Sequence, residues 1–220
     1  MATHERWNEA VRAFWTGRDL QTQRQIESGK VDAGNRGAVT GGQHLKPLEQ
    51  ATAALFSNDP DIGSELVVLH GKKNTLPGYY RRSKDWDLVV LYRGALVAAI
   101  EFKSQQGSFG NNFNNRTEES IGNSIDIWRG HEEEMFGPVR PWLGFVMVLE
   151  KTNASTRTMK NGATLFPADP AFNDTGYLDR YRILFQRLVR EGKYDAAVVA
   201  ATEIGQGYSM SPSPISPLPT

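Results

Sequence analysis

Asp87, Glu101 and Lys103 are the residues of this chain whose types and spacing best suit chemistry. They bracket the stretch DLVVLYRGALVAAIEFKS. Within it Leu88–Tyr92 and Ala95–Phe102 are rich in β-branched and aromatic residues, and Arg93-Gly94 supplies the turn of a hairpin. Such nearly continuous apolar strands lie inside a sheet covered on both faces. A carboxylate or an ammonium there is costly to bury unless it is paired or bound to a metal. Side chains alternate along a strand, so Glu101 and Lys103 project from one face and Phe102 from the other. Asp87, beginning the antiparallel neighbour, lies near the same end. Two carboxylates and one ammonium thus converge at a sheet edge. Hard divalent cations such as Mg²⁺ take one or two carboxylates and keep several waters. Such an ion polarises a phosphoryl oxygen or lowers the pKa of a bound water, and a neighbouring lysine can stabilise developing negative charge. Phosphodiester hydrolysis is the chemistry this set serves best. The plainer reading is a set of ion pairs in which Asp87 and Glu101 meet Lys84, Lys103 or an arginine.

The elements that must hold these residues follow from periodicity. Trp7, Ala10, Val11, Phe14 and Trp15 share one helical stripe over His4–Gly17, and the polar stretch to Lys30 is compatible with its continuation. AGNRGAVTGGQH (Ala33–His44) reads as a glycine-punctuated loop. Pro47 suits the first turn of a helix running to about Phe56. Glu65–Leu69 and Tyr79-Tyr80 are short strand candidates on either side of a KKNTLPG turn. GSFGNNFNNR reads as a second loop, with a helix starting at Asn115, Glu118 in a capping box, and Ile121, Ile125 and Trp128 following. Trp142–Leu149 is an apolar strand and residues 151–170 a polar connection. Tyr177–Arg190 is an amphipathic helix, and Ala196–Ala201 a last strand or short helix. The sequence thus predicts an α/β fold, a central sheet flanked by helices, as a single domain over residues 1–204. The proline-rich tail, 205–220, ending SPSPISPLPT, has too little apolar content to join it and is expected to be disordered.

Composition narrows the function classes. Of 220 residues, 39% are hydrophobic and 23% charged, ordinary values for a globular protein. Lys plus Arg and Asp plus Glu number 25 each, which argues against a protein that coats DNA by bulk positive charge. The absence of cysteine removes disulfides and Cys-based zinc sites. There is no apolar run long enough for a bilayer and no signal-peptide core at the N-terminus, so no membrane partner and a cytoplasmic location are expected.

Around the triplet, longer segments resemble a known family. Asp87…Glu101-Phe102-Lys103 looks like the PD-(D/E)XK nuclease signature, with Trp86 where that signature usually has proline. NRGAVTGGQHL, LPGYYRRSKDWDLVV, AAIEFKSQ, SFGNNFNNRTEESIGN and PWLGFVMVLE resemble the XhoI-like type II restriction endonucleases, a likeness running from about Trp7 to Ala201. The resemblance implies a restriction-endonuclease-like mixed sheet, with Asp87 and Glu101 as metal ligands and Lys103 as the catalytic lysine. The general signature adds the Phe102 carbonyl as a ligand, and Mg²⁺ is the implied cofactor. Double-stranded DNA is the implied substrate, at the palindrome CTCGAG cut after the first C to leave 5′ overhangs. A two-fold homodimer would match that symmetry, and a methyltransferase would be the functional partner protecting host DNA.

In that light the loops gain candidate readers. Arginine binds guanine, and asparagine or glutamine binds adenine, in bidentate fashion. Asn35, Arg36, Thr40, Gln43 and His44 sit in one loop; Asn111, Asn112, Asn114, Asn115 and Arg116 sit in the other. Arg81, Arg82 and Lys84 are placed for phosphate contacts. Against this, Asn and Gly are ordinary loop residues, and Asn115 can simply cap its helix. Glu118 and Glu119 read as a solvated helix face, with a contribution to the metal site as the alternative. HEEEM at His131 lacks the second histidine of a zinc motif, and GAVTGGQ lacks the Lys-Ser/Thr of a phosphate-binding loop. The competing functions are a repair or junction-resolving nuclease of the same fold, a DNA-binding protein without catalysis, and a structural protein with ordinary ion pairs.

Overall fold

The structure is a computed structural model that describes residues 3–27, 43–71, 73–160, 162, 164–203 and 214–215. Its elements, in order, are α1 (Thr3–Glu27), α2 (Lys46–Ser57), β1 (Leu66–His70), β2 (Thr75–Pro77), β3 (Ser83–Asp85), β4 (Leu88–Tyr92) and β5 (Ala95–Gln105). They continue as α3 (Phe109–Glu132), β6 (Trp142–Glu150), α4 (Asn153–Thr156), α5 (Tyr177–Arg190), β7 (Ala196–Thr202) and β8 (Pro214–Ile215).

The β4–β5 hairpin forms as expected because Arg93 and Gly94 both take positive φ, 49° and 82°. That pair of left-handed residues matches the twist of the strands it joins. β1 adds antiparallel to β4, while β6 and β7 add parallel to β5 and to each other. Parallel neighbours need a crossover, and α3 and α5 supply it. The result is a six-stranded mixed sheet in the order β1-β4-β5-β6-β7-β8. The α/β expectation therefore holds, and Ala196–Thr202 resolves as a strand.

The alternation of β4 and β5 sorts their side chains into two cores. Leu88, Val90, Ala98, Ile100 and Phe102 pack under Val11, Phe14, Trp15 and Leu48 of α1 and α2. Val89 and Ala99 face the other way, towards Phe109, Ile127, Tyr181 and Phe185 of α3 and α5. Burial of each such large apolar side chain contributes about 1.5–3 kcal/mol. Trp15 also donates from Nε1 to Thr202 Oγ1 on β7, at 2.9 Å, which pins α1 across the sheet.

Several boundaries differ from the sequence reading. α3 begins at Phe109, not Asn115, so NNFNNR is helical. Asparagine is a weak helix former, but Phe109 stacks on Tyr177 at 5.9 Å and Phe113 meets Tyr181 edge-on at 5.1 Å. Tertiary packing overrides the local preference, and Asn115 caps nothing. Tyr79-Tyr80 is not a strand; the flanking β2 and β3 pair instead as a small separate hairpin. The tail expectation needs correction at one point: Pro214 and Ile215 pair antiparallel with Val198 and Ala197. β8 thereby covers backbone groups of β7 that would otherwise be an open sheet edge, and proline is tolerated in a strand at the edge. No described helix is long and apolar enough to cross a membrane.

Candidate active site

The ladder between β4 and β5 stops at Leu88 opposite Ile100. One step further, the Asp87 carboxylate takes over: its Oδ2 accepts from the Phe102 backbone N–H at 2.6 Å. Asp87 is placed by the peptide before it. The Trp86 N–H donates to the Asn74 carbonyl at 3.1 Å, and the Asn74 side-chain amide donates back to the Trp86 carbonyl. Asn74 and Trp86 are both buried, so this clasp fixes where β4 starts.

Glu101 and Lys103 share a face, as alternation predicts, and point towards α3. Lys103 Nζ lies 2.5 Å from Glu101 Oε1 and 3.0 Å from Glu119 Oε1. Lys84, reaching in from β3, puts its Nζ 2.9 Å from Glu101 Oε2. That contact is one of charge rather than of an aligned hydrogen bond, because Oε2 is buried without a donor in hydrogen-bond geometry. Glu119 Oε2 also accepts from Arg116 Nη1. The site is thus a chain of alternating charges running from Lys84 through Glu101, Lys103 and Glu119 to Arg116.

The electrostatics follow from burial and neighbours. Burial first, and the Glu101 charge second, push the Asp87 carboxyl up to about 6, only partly opposed by the Phe102 N–H. Burial would lower the Lys103 ammonium, but Glu101 and Glu119 together hold it well above the ordinary lysine value. It is a permanent cation in this setting. Burial would raise Glu119, yet Lys103 and Arg116 keep it below the usual carboxylate range. Glu49 on α2 is buried, and its carboxyl is pushed up to about 7 by that burial and then by Asp87.

A hard cation fits this donor set. Asp87 and the poorly satisfied Glu101 Oε2 are oxygens, and the Phe102 carbonyl faces the same edge of β5 as the Phe102 N–H that Asp87 receives. Among the described residues no three His, Asp or Glu side chains form a complete cage. Partial ligation by protein, with positions left for water and a phosphate oxygen, is the habit of Mg²⁺.

The other sequence-predicted residues scatter. Asn35, Arg36 and Thr40 lie outside the described residues, as does the Gln43 side chain. His44 is not an open loop residue. It is buried, its Nε2 is 3.1 Å from Ser104 Oγ, its ring packs on Phe14, and desolvation with Arg18 nearby lowers its pKa to about 4. Asn111, Asn114 and Asn115 are exposed on α3 rather than in a loop, while Asn112 donates to the Ser108 carbonyl at 3.0 Å. Arg116 is engaged with Glu119. Arg81 pairs with Asp126 at 2.7 Å, Arg82 is exposed, and Lys84 faces Glu101 instead of solvent.

Sequence reasoning missed three participants, Asn74, Glu49 and Asp126, and preferred a solvated face for a fourth, Glu119. Glu119 read as a solvated face because nothing local ties it to Lys103. Asp126 Oδ1 accepts from the Tyr79 and Tyr80 N–H groups at 2.9 and 2.8 Å, and Oδ2 from Arg81 Nε. The approach is so close that a Cβ on Gly78 would stand 2.8 Å from Asp126 Oδ2. The loop bearing Tyr80 and Arg82 is therefore strapped to α3.

Comparison with known proteins agrees with this architecture. The family model described as restriction endonuclease XhoI matches residues 24–210. The type II restriction enzyme BstVI of Geobacillus stearothermophilus is 41% identical over 184 residues, covering 80% of each chain. AbrI of Azospirillum brasilense is 43% identical over 162 residues, 71% of each. XhoI of Xanthomonas vasicola is 36% identical over 185 residues, 83% of this chain and 73% of that enzyme. No solved structure matches significantly. With its mixed sheet, the Asp87, Glu101 and Lys103 cluster where β4 and β5 part, and a family match spanning most of its length, this chain belongs to the XhoI family of type II restriction endonucleases.

Proposed function

We propose that this enzyme hydrolyses both strands of double-stranded DNA at CTCGAG after the first C, with Asp87, Glu101 and the Phe102 carbonyl holding Mg²⁺ and Lys103 as the catalytic lysine. The observation that carries this reading is the convergence of Asp87, Glu101 and Lys103 where β4 and β5 part. The bound ion would supply Lewis acidity at the phosphate and a more acidic water. Lys103, fixed by two carboxylates and held protonated, acts as a cation: it stabilises the charge that gathers on the phosphoryl oxygens as water oxygen bonds to phosphorus and the ester oxygen leaves. Burial of Asp87 and Glu101 keeps bulk water from screening these charges.

Zero formal net charge favours recognition by direct readout over bulk attraction. Asn35, Arg36, Thr40 and Gln43, with Asn111, Asn112, Asn114 and Asn115 on α3, are the proposed readers. Arg81, anchored on Asp126, and exposed Arg82 are the phosphate contacts. A homodimer would present two sites to a palindrome, in the cytoplasm beside a methyltransferase that protects host DNA. The test is digestion of a plasmid carrying mapped CTCGAG sites, with Mg²⁺ and with EDTA. Cleavage confined to those sites and abolished by EDTA is expected. In gel shifts with Ca²⁺, equal affinity for CTCGAG and a one-base variant would favour a structure-directed nuclease instead.

A further inference from the structure

Glu101 carries an ammonium on each oxygen, and the two contacts are unlike. Lys103, at 2.5 Å from Oε1, lies on the same strand and is shared with Glu119. Lys84, at 2.9 Å from Oε2, comes from β3 in the separate two-stranded sheet. Lys84 also donates to the Asp85 carbonyl at 3.2 Å, and its ammonium sits 4.8 Å from the centre of the Trp86 ring. Its charge rests on Glu101 alone among the described ion pairs, and without hydrogen-bond alignment, since Oε2 remains without an aligned donor.

We propose that Lys84 is a stand-in cation, which neutralises Glu101 Oε2 until a divalent ion takes that oxygen and which is then displaced onto the DNA phosphate. The inference rests on the metal site proposed above and adds an exchange step to it. A carboxylate as buried as Glu101, at 1% exposure, is strongly destabilising without a nearby positive charge. Lys103 cannot serve it fully, being divided between two carboxylates. A divalent ion at Oε2 would repel an ammonium within 3 Å of the same oxygen, and Lys84 has a route out. Its side chain is 12% exposed, on a hairpin whose connecting loop carries the exposed Tyr80 and Arg82. The hairpin itself stays anchored through Asp126, so the displaced ammonium remains beside the site. Trp86 under the ammonium gives the exchange an optical signature.

The experiment uses the full chain without DNA, titrated with Ca²⁺ by calorimetry and tryptophan fluorescence. Lys84→Met should bind Ca²⁺ about tenfold more tightly than the wild type, because no ammonium has to leave. Ca²⁺ should change the wild-type emission, and Trp86→Phe and Lys84→Met should each remove that change. With Ca²⁺ present, Lys84→Met should bind CTCGAG DNA several-fold more weakly than the wild type, and without Ca²⁺ the two should bind alike. Lys84→Gln, which retains polarity, repeats the comparison should Lys84→Met fold poorly. Equal or weaker Ca²⁺ affinity in both Lys84 variants overturns the exchange, as does an unchanged DNA affinity with Ca²⁺. Glu101→Gln separates the two readings. If it abolishes Ca²⁺ binding, the metal site stands whatever the Lys84 variants do; if binding persists unchanged, the metal site and the exchange both fail.

Discussion

Lys103 Nζ stands 3.0 Å from Glu119 Oε1, so the ammonium of β5 is tied to α3 as well as to its strand neighbour Glu101. This link couples the position of the lysine to the helix that also carries the exposed asparagines. Helix and strand are brought together by the core beneath them, through Phe109, Ile127 and Ala99.

Glu119 is accordingly a positioning residue. Glu119→Gln should lower kcat by about tenfold to hundredfold, the cost of a slightly misplaced group, with little change in KM. Lys103→Ala should abolish most cleavage while specific binding in Ca²⁺ survives. Arg116→Ala, which frees Glu119, should resemble a mild Glu119→Gln rather than relax sequence discrimination. Plasmid cleavage kinetics with one-base-variant controls read all three, and an unimpaired Glu119→Gln would show the link to be incidental.

The raised carboxyls make the metal-free protein less stable as pH rises. Asp87 moves from 3.8 to about 6 and Glu49 from 4.5 to about 7, both through burial first. A carboxyl that holds its proton more tightly when folded costs nothing below its unfolded value. Its cost grows as pH rises towards the folded value and is complete above it. His44, lowered to about 4, acts in the opposite sense, losing stability as pH falls from 6.5. Comparing Asp87→Asn with wild type cancels that contribution. In EDTA, the variant should be more stable at pH 8 by about 1–3 kcal/mol and nearly equal at pH 4. Urea unfolding at both pH values checks this; an equal difference at both would refute the assignment.

Asp126 holds three donors of the Tyr79–Arg81 loop from a buried position. Asp126→Ala strands two backbone N–H groups and the Arg81 guanidinium, which should cost about 2–4 kcal/mol. The loosened loop should also weaken binding to site and non-site DNA by the same factor, since phosphate contacts carry no sequence information. Chemical denaturation and gel shifts at fixed salt measure the two effects. A selective loss of CTCGAG affinity would instead place a base reader in this loop.

Removal of residues after Gly207 deletes the Pro214–Ile215 strand and uncovers the edge of β7. A pairing of two residues contributes on the order of 1 kcal/mol, so a small fall in Tm is expected with cleavage and oligomeric state retained. Thermal melts and sedimentation over a range of protein concentrations test it. An unchanged Tm would make β8 dispensable, and a shift towards monomer would mean that the tail clamps the partner subunit.

The sequence by itself determined what is local. Nearly continuous apolar runs on either side of Arg93-Gly94 defined the β4–β5 hairpin, and alternation put Glu101 and Lys103 on one face, because a strand leaves each side chain only two directions. Helical periodicity located α1 and α5, because residues three and four apart share one face of a helix, and Pro47 marked the start of α2. What only tertiary structure decided are relations between elements distant in the chain. The start of α3 depends on Phe109 and Phe113 finding Tyr177 and Tyr181, which overrides the weak helical preference of the asparagines between them. Glu119 looks solvated until α3 is laid over β5, and Lys84 looks like a phosphate contact until the β2–β3 hairpin folds it onto Glu101. His44 turns from a loop polar group into a buried neutral one once α1 covers it. Charge pairing and burial act through space, so only the packed sheet and helices could assign these residues their partners.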